Sequence, residues 1–273
     1  MKLRPPFKCH GGKFYLSQWV IDNFPKDFDQ YDYIEPFSGA ASVLLNKARP
    51  KAREPVAKEV LNDLDKGVIA ILKCLRDEPE VFIKKLKNTI YSERVFNREL
   101  KTLTANQFES DFDRAITDFI VRRMSRGGMK TNFAWSERER GGQPGDVNAW
   151  ETILDQLPSI SDRLQNVFIF SKPAIQVIKA FSYENALCYC DPPYVPETRT
   201  SKEVYEMEMT TDDHIDLANA LLNFKGKAIL SGYPSTLYKR LYKDWRCVKK
   251  KVANNSSQQK TKSIKVEMLW MNY

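Results

Sequence analysis

Hydrophobic positions along this chain switch between a two-residue and a three-to-four-residue period. Tyr31-Asp32-Tyr33-Ile34-Glu35 has the strand period, and a small-residue turn leads from it into a helix expected over Ala40 to Ala48. Val56 to Leu61 reads as the next strand, ending at Asn62-Asp63-Leu64-Asp65. From Lys66 to Arg76, Val68, Ile69, Leu72 and Leu75 share one helical face. Strands alternating with helices in this way predict a parallel sheet with helices against it.

The character changes from about residue 77 to 150. Glu80 to Leu86 and Asp113 to Met124 carry the helical period, the second with Phe112, Ile116, Phe119, Ile120 and Met124 on one side. Ser125-Arg126-Gly127-Gly128-Met129-Lys130 and a polar tract from Ser136 to Asp146 follow. This stretch is expected to be a mostly helical insertion. After Trp150 the sheet pattern returns, with strands at Asn166 to Phe170, Ala186 to Cys190 and Lys227 to Ser231. Thr210 or Thr211 should cap a helix with Asp212 and Asp213 in its first turn and Ile215, Ala218 and Leu222 on its buried stripe. Ile264 to Trp270 reads as a final antiparallel strand, and Lys249 to Lys265 as a mobile basic hairpin. The expected division is therefore 1–76 with 151–273 as one domain and 77–150 inserted into it.

A chain of 273 residues, 42% hydrophobic and 29% charged, can bury a large core and is not of disordered composition. The net charge of +8 favours a polyanion or an anionic membrane surface as partner. Arginines gather beside the Gly127-Gly128 pair, so Arg122, Arg123, Arg126 and Lys130 are candidate contacts to phosphates or base edges. The run Glu137 to Arg140 reads as a solvated face. No stretch has the length and apolarity of a membrane span, and the basic start lacks the apolar core of a signal peptide. Five scattered cysteines form no disulfide framework, which fits the cytoplasm. Cys188 and Cys190 alternate onto one face of a strand, where small core residues are commonest, so no metal is expected.

Chemistry concentrates in four segments. Asp191-Pro192-Pro193-Tyr194 follows the buried run Asn185 to Cys190, and two prolines force the chain out of the sheet in a stiff shape. A carboxylate, backbone carbonyls and an aromatic ring then meet at the sheet mouth. Asp191 and the Pro192 carbonyl can accept both protons of an exocyclic amine while Tyr194 stacks on the ring that bears it. Taken alone, the four residues fit a stiff surface turn equally well. Glu35-Pro36-Phe37-Ser38-Gly39-Ala40-Ala41-Ser42 joins strand to helix through small residues that let a ligand approach the backbone. Asp63, about 24 residues beyond Gly39, stands where doubly wound sheets hold ribose hydroxyls, or else caps the next helix. Lys8-Cys9-His10-Gly11-Gly12-Lys13 is no P-loop, because Phe14 follows the lysine. It can bring an ammonium to a ligand carboxylate.

In this order the segments resemble the Dam-like DNA adenine methyltransferases. That family shows a Lys-x-x-Gly-Gly-Lys start, a Pro-Phe-x-Gly-x-Gly-Ser-like turn, an acidic end to strand two, a helical recognition insert and Asp-Pro-Pro-Tyr. The resemblance covers nearly the whole chain and implies a Rossmann-like α/β methyltransferase domain with a target-recognition insertion. It implies methyl transfer from S-adenosyl-L-methionine to adenine N6 of double-stranded DNA, by a monomer needing neither metal nor membrane. Asp191, Pro192 and Tyr194 would then be catalytic. Cys9, Gly12, Lys13, Pro36, Phe37, Gly39, Asp63 and Asp191 would hold the cofactor, with Lys13 on its carboxylate and Asp63 on its ribose. Two departures stand out. Cys9 replaces the family's usual aromatic residue, and Ala41 replaces the turn's second glycine.

The adenine amine is a poor nucleophile because its lone pair is delocalised into the ring. Hydrogen bonds from its protons to Asp191 and Pro192 favour a tetrahedral nitrogen, and alignment does much of the rest. The base must leave the duplex to be reached. An N4-cytosine methyltransferase would use similar chemistry, although serine is commoner there in place of Asp191. RNA or protein amine methyltransferases share a related tetrapeptide but fit the Gly-Gly-Lys start less well. A non-catalytic DNA-binding relative is disfavoured by intact Asp191, Tyr194, Asp63 and Lys13.

Overall fold

Both periods read from the sequence reappear as regular structure, in a computed structural model that describes residues 2–9, 11–50, 57–198, 208–253 and 264–273. Among them α1 (Ser17–Ile21), β1 (Asp32–Glu35), β2 (Glu59–Asn62), α2 (Lys66–Asp77), α3 (Pro79–Lys87), α4 (Glu93–Ala105), α5 (Asp111–Met124), β3 (Glu139–Arg140) and β4 (Gln143–Pro144) come first. Then follow α6 (Gly145–Leu164), β5 (Val167–Phe170), α7 (Ala174–Ala180), β6 (Ala186–Cys190), α8 (Thr211–Leu222), β7 (Lys227–Gly232), α9 (Thr236–Leu241), β8 (Arg246–Ala253) and β9 (Ile264–Met271). His10, Val56 and residues 254–263 of the expected basic hairpin lie outside the described residues.

Seven strands form one mixed sheet in the order β5-β2-β1-β6-β7-β9-β8. β1 runs parallel to β2 and β6, and β6 parallel to β7, whereas β9 is antiparallel to both β7 and β8. With its helices this is the α/β, Rossmann-like class that the alternation predicts. The chain forms two compact units. One comprises Met1–Ile21, Gly39–Lys47 and Asp65–Ile169, the other Asp22–Ser38, Ala48–Leu64 and Phe170–Tyr273.

The second unit packs one face of the sheet against α7, α8 and α9. Ile34, Val60, Cys188, Cys190, Ala228 and Leu230 meet Val177, Leu217, Leu221 and Tyr238 in one buried cluster. Burial of each large aliphatic side chain contributes about 1.5–3 kcal/mol. Strands buried on both faces explain the near-continuous apolar runs of β6 and β7. Thr210 caps α8 in a capping box with Asp213, as its sequence predicts. The buried stripe of α8 differs from the expected one: His214, Leu217, Ala218 and Leu221 are buried, whereas Leu222 is half exposed. His214 belongs to that buried face, its Nδ1 2.9 Å from the Tyr238 hydroxyl.

The first unit is helical. Phe82 meets Phe112 and Phe119 edge-on, and Phe119 meets Trp150, tying α3, α5 and α6 together. α6 runs through Trp150 to Leu164, further than the sequence pattern indicates. The polar tract contains a small hairpin, with Glu139 opposite Pro144 and Arg140 opposite Gln143. Gly141 (φ 61°) and Gly142 (φ 75°) make its turn, the left-handed pair that two-residue hairpins need.

Two further expectations are corrected. Ala40 to Ala48 is a series of turns and not a helix. Gly39 (φ 46°) and Ala41 (φ 54°) are both left-handed, and the i→i−4 bonds from Leu45 N–H to the Ala41 carbonyl and from Lys47 N–H to the Val43 carbonyl are separated by an i→i−3 bond from Asn46, so the turns do not add up to a helix. Lys249 to Lys251 are not part of a mobile loop. They pair with Met268, Glu267 and Val266 in the β8–β9 ladder.

Candidate active site

In the second unit, parallel pairing brings the motif residues to one edge of the sheet. Ile34 lies opposite Cys188 in β1 and β6, Glu35 opposite Leu61 in β1 and β2, and Cys190 opposite Leu230 in β6 and β7. Each strand therefore ends at the same level. Pro36 and Phe37 leave β1 there, Asp63 leaves β2, and Asp191, Pro192 and Tyr194 leave β6. The carboxyl edge of adjacent parallel strands on either side of a reversal in strand order is where open α/β sheets bind ligands.

Asp191 is half-buried, and Oδ1 accepts a 2.6 Å hydrogen bond from the Ser231 hydroxyl. Tyr194 is buried, and its hydroxyl donates to Glu267 Oε2 at 2.8 Å. Its ring meets Tyr233 edge-on, with centroids 4.6 Å apart. Burial first, then the Asp191 and Glu267 charges, push the Tyr194 phenol well above its ordinary pKa, so it stays protonated and a donor. Below the edge, Tyr33 donates to Glu35 at 2.6 Å, and both are buried. Asn62 at the end of β2 donates from its amide to the Pro36 and Lys172 carbonyls, both at 2.9 Å, which fixes the turn after β1. Asp65, and not Asp63, caps α2, accepting from Gly67 and Val68 amides. The capping alternative for Asp63 therefore falls away.

The cofactor-type residues of the first unit are Cys9, Gly12, Lys13 and Gly39. Gly12 N–H donates to the Cys9 carbonyl at 3.2 Å in a tight turn. Lys13 is buried, with Nζ 3.1 Å from the Gly11 carbonyl oxygen.

The four proposed DNA contacts, all in the first unit, separate by environment. Arg122 is buried and belongs to an internal ion cluster, pairing through Nε with Asp118 and through Nη2 with Asp65, each at 2.5 Å. Burial opposes its charge, but Cys9, Asp65 and Asp118 outweigh burial and raise its pKa above the ordinary arginine value. Such a guanidinium is committed inside the protein, which corrects its assignment to nucleic acid. Arg123 is half-buried, donates to the Ala149 carbonyl at 2.7 Å, and is pushed down to about 10 by burial. Lys130 Nζ is 3.7 Å from Asp118. Arg126 is exposed. Sequence reasoning passed over Trp135, 65% exposed, and Arg138, exposed beside the β3–β4 hairpin. The Gly141-Gly142 pair was the signal for that hairpin.

Known proteins are similar to this chain in sequence over most of its length. The family described as D12 class N6 adenine-specific DNA methyltransferase matches residues 10–256. The chain belongs to this family. A DNA adenine methylase of Haemophilus influenzae is 23% identical over 98% of this chain and 93% of its own length. The type II methyltransferase M1.LlaDCHI of Lactococcus lactis subsp. cremoris is 24% identical over 100% and 96%. A DNA adenine methylase of Vibrio cholerae is 25% identical over 89% and 86%. The protein is thus an adenine-specific DNA methyltransferase, an enzyme that moves a methyl group from a donor to adenine in DNA. No helix among the described residues is long and apolar enough to cross a membrane, and no metal-ligand cluster occurs among them.

Proposed function

We propose that the methyl donor is S-adenosyl-L-methionine and that the target adenine is flipped out of double-stranded DNA onto the edge formed by β1, β2 and β6. The observation that carries this reading is the shared level of Pro36-Phe37, Asp63 and Asp191-Pro192 at neighbouring strand ends. The turn after β1 also suits a polar ligand. Ser38 Oγ is buried there without a hydrogen-bond partner, an orphan that a ligand hydroxyl or carboxylate would satisfy. Pro36 and Phe37 would line the donor, and Asp63 would accept from its ribose. The matching roles of Cys9, Gly12, Lys13 and Gly39 rest on their motif resemblance.

When bound, the donor supplies an electrophilic methyl on a sulfonium leaving group. The protein's share is positioning and polarisation. Asp191 accepts one proton of the adenine amine and the Pro192 carbonyl accepts the other, localising the nitrogen lone pair. Asp191 would also be placed to take the amine proton as the nitrogen accepts the methyl group and the sulfonium leaves as a neutral thioether. Tyr194 offers its ring to the base. Residues 1–76 and 151–273 would carry this chemistry, and 77–150 would read DNA, with Arg126, Arg138 and Trp135 as the exposed contacts. Unbridged Cys188 and Cys190, with sulfurs 3.6 Å apart, fit a reducing cytoplasm.

The test replaces the target adenine by 2-aminopurine and follows fluorescence on binding, alongside nucleoside mass spectrometry of methylated duplex. Flipping predicts a large fluorescence rise, and N6-methyladenine that Asp191→Ala abolishes. Unchanged fluorescence in a bound complex, or turnover retained by Asp191→Ala, would overturn the reading.

A further inference from the structure

β7 contributes a residue that no motif of the chain marks. Pairing of Cys190 with Leu230 places Ser231 one step on, beside Asp191 as it leaves β6. Ser231 is 1% exposed, and its hydroxyl donates to Asp191 Oδ1 at 2.6 Å. The same oxygen lies 3.3 Å from the Tyr189 hydroxyl and 3.4 Å from the Cys190 carbonyl oxygen. Tyr189 is itself buried, so the hydroxyl is held on a rigid strand between fixed neighbours.

We propose that Ser231 is a positioning residue for methyl transfer, holding the Asp191 carboxylate in the rotation that receives the adenine amine. This rests on the reading of Asp191 given above. A carboxylate leaving a strand beside two prolines has a fixed backbone, but its side chain still turns about two bonds. A short hydrogen bond from a buried hydroxyl restricts that rotation, and oriented acceptors are what alignment catalysis requires. A buried serine that only filled space would not do this.

Ser231→Ala, Ser231→Cys and Asp191→Asn are compared with wild type by single-turnover methylation from pH 5 to 9, with donor and DNA affinities measured separately. Ser231→Ala should lower the methylation rate about tenfold or more, the scale of a hydrogen bond to a charged group. Both affinities should stay within about twofold, because the residue touches neither ligand. The rate of Ser231→Cys, a weaker donor of nearly the same volume, should fall between those of Ser231→Ala and wild type. A wild-type rate in Ser231→Ala, with Asp191→Asn inactive, would overturn the Ser231 role and leave the site intact. An active Asp191→Asn would overturn the site itself. If Ser231→Ala does not fold, Ser231→Cys decides: its rate falls with both affinities kept, or the proposal is wrong.

Discussion

The Tyr194 hydroxyl donates to Glu267 Oε2 at 2.8 Å, joining the loop after β6 to the antiparallel strand β9 inside the protein. The bond anchors the hydroxyl end of the tyrosine before any base arrives. Tyr194→Phe keeps the ring and removes the donor to a buried carboxylate, so it should destabilise the protein by about 1–3 kcal/mol. Glu267→Gln keeps an acceptor and should cost less. Urea unfolding of both single variants and the double variant should give a coupling of about 0.5 kcal/mol or more. Additive effects would mean the two residues do not support each other.

Lys8 sets a pH dependence. Burial, then the neighbouring Arg123, lower its pKa from 10.5 to about 8, with Asp146 opposing them. The folded state thus binds fewer protons than the unfolded chain between these values, and stability should rise with pH from about 8 to 10.5. Below about 8 the lysine is charged in both states, and the cost of burying that charge is fully present. Lys8→Met removes the cost, so it should raise stability at pH 7 and flatten the slope above pH 8. Denaturant midpoints across this range, compared between the two proteins, would show parallel curves if Lys8 did not titrate there.

Gly67 stands where α2 meets the Asp118 carboxylate of α5. A Cβ added there would lie 1.7 Å from Asp118 Oδ2. Alanine is otherwise the better helix former by about 1 kcal/mol, so the substitution isolates the clash. Gly67→Ala should displace Asp118 from Arg122 and destabilise by about 2–4 kcal/mol. Arg122→Met, which takes away the guanidinium that pairs with both Asp65 and Asp118, should cost about 3–5 kcal/mol. Thermal melts that rank Gly67→Ala above wild type would show that the two helices separate readily.

The strands and the Asp-Pro-Pro-Tyr edge were legible because each rests on local pattern: alternation, proline at a strand end, acid after strand two. Arg122 was misread because composition registers its charge but not its partners. Asp65 and Asp118 reach it from 57 residues away and from one helical turn away. Ser231 and Glu267 were invisible for the same reason, since parallel and antiparallel register, and no spacing in the chain, brings them to Asp191 and Tyr194. The helix expected after Gly39 failed at two left-handed residues, one of them an alanine that no propensity marks. The α8 stripe includes a buried histidine bonded to Tyr238, a polar residue that an apolar pattern does not mark.

DNA contact should follow exposure and not arginine count. Arg126 and Arg138 are exposed, Arg123 is half-buried, and Arg122 is enclosed. Each phosphate neutralised by an arginine releases counterions and adds about 0.9 to the slope of log affinity against log salt. Arg126→Ala should therefore lower that slope by about 1 and weaken all duplexes alike if it meets phosphate. If it reads a guanine, it should lose about 1–3 kcal/mol of discrimination at one position instead. Fluorescence anisotropy titrations at several salt concentrations, with target and mismatched duplexes, separate the two. Donor affinity should be unchanged in either case, because the side chain projects to solvent. Neither a slope change nor a specificity change in Arg126→Ala and Arg138→Ala would exclude both residues from the interface. Recognition would then fall to the exposed cations of β8, Arg246 and Lys249 to Lys251.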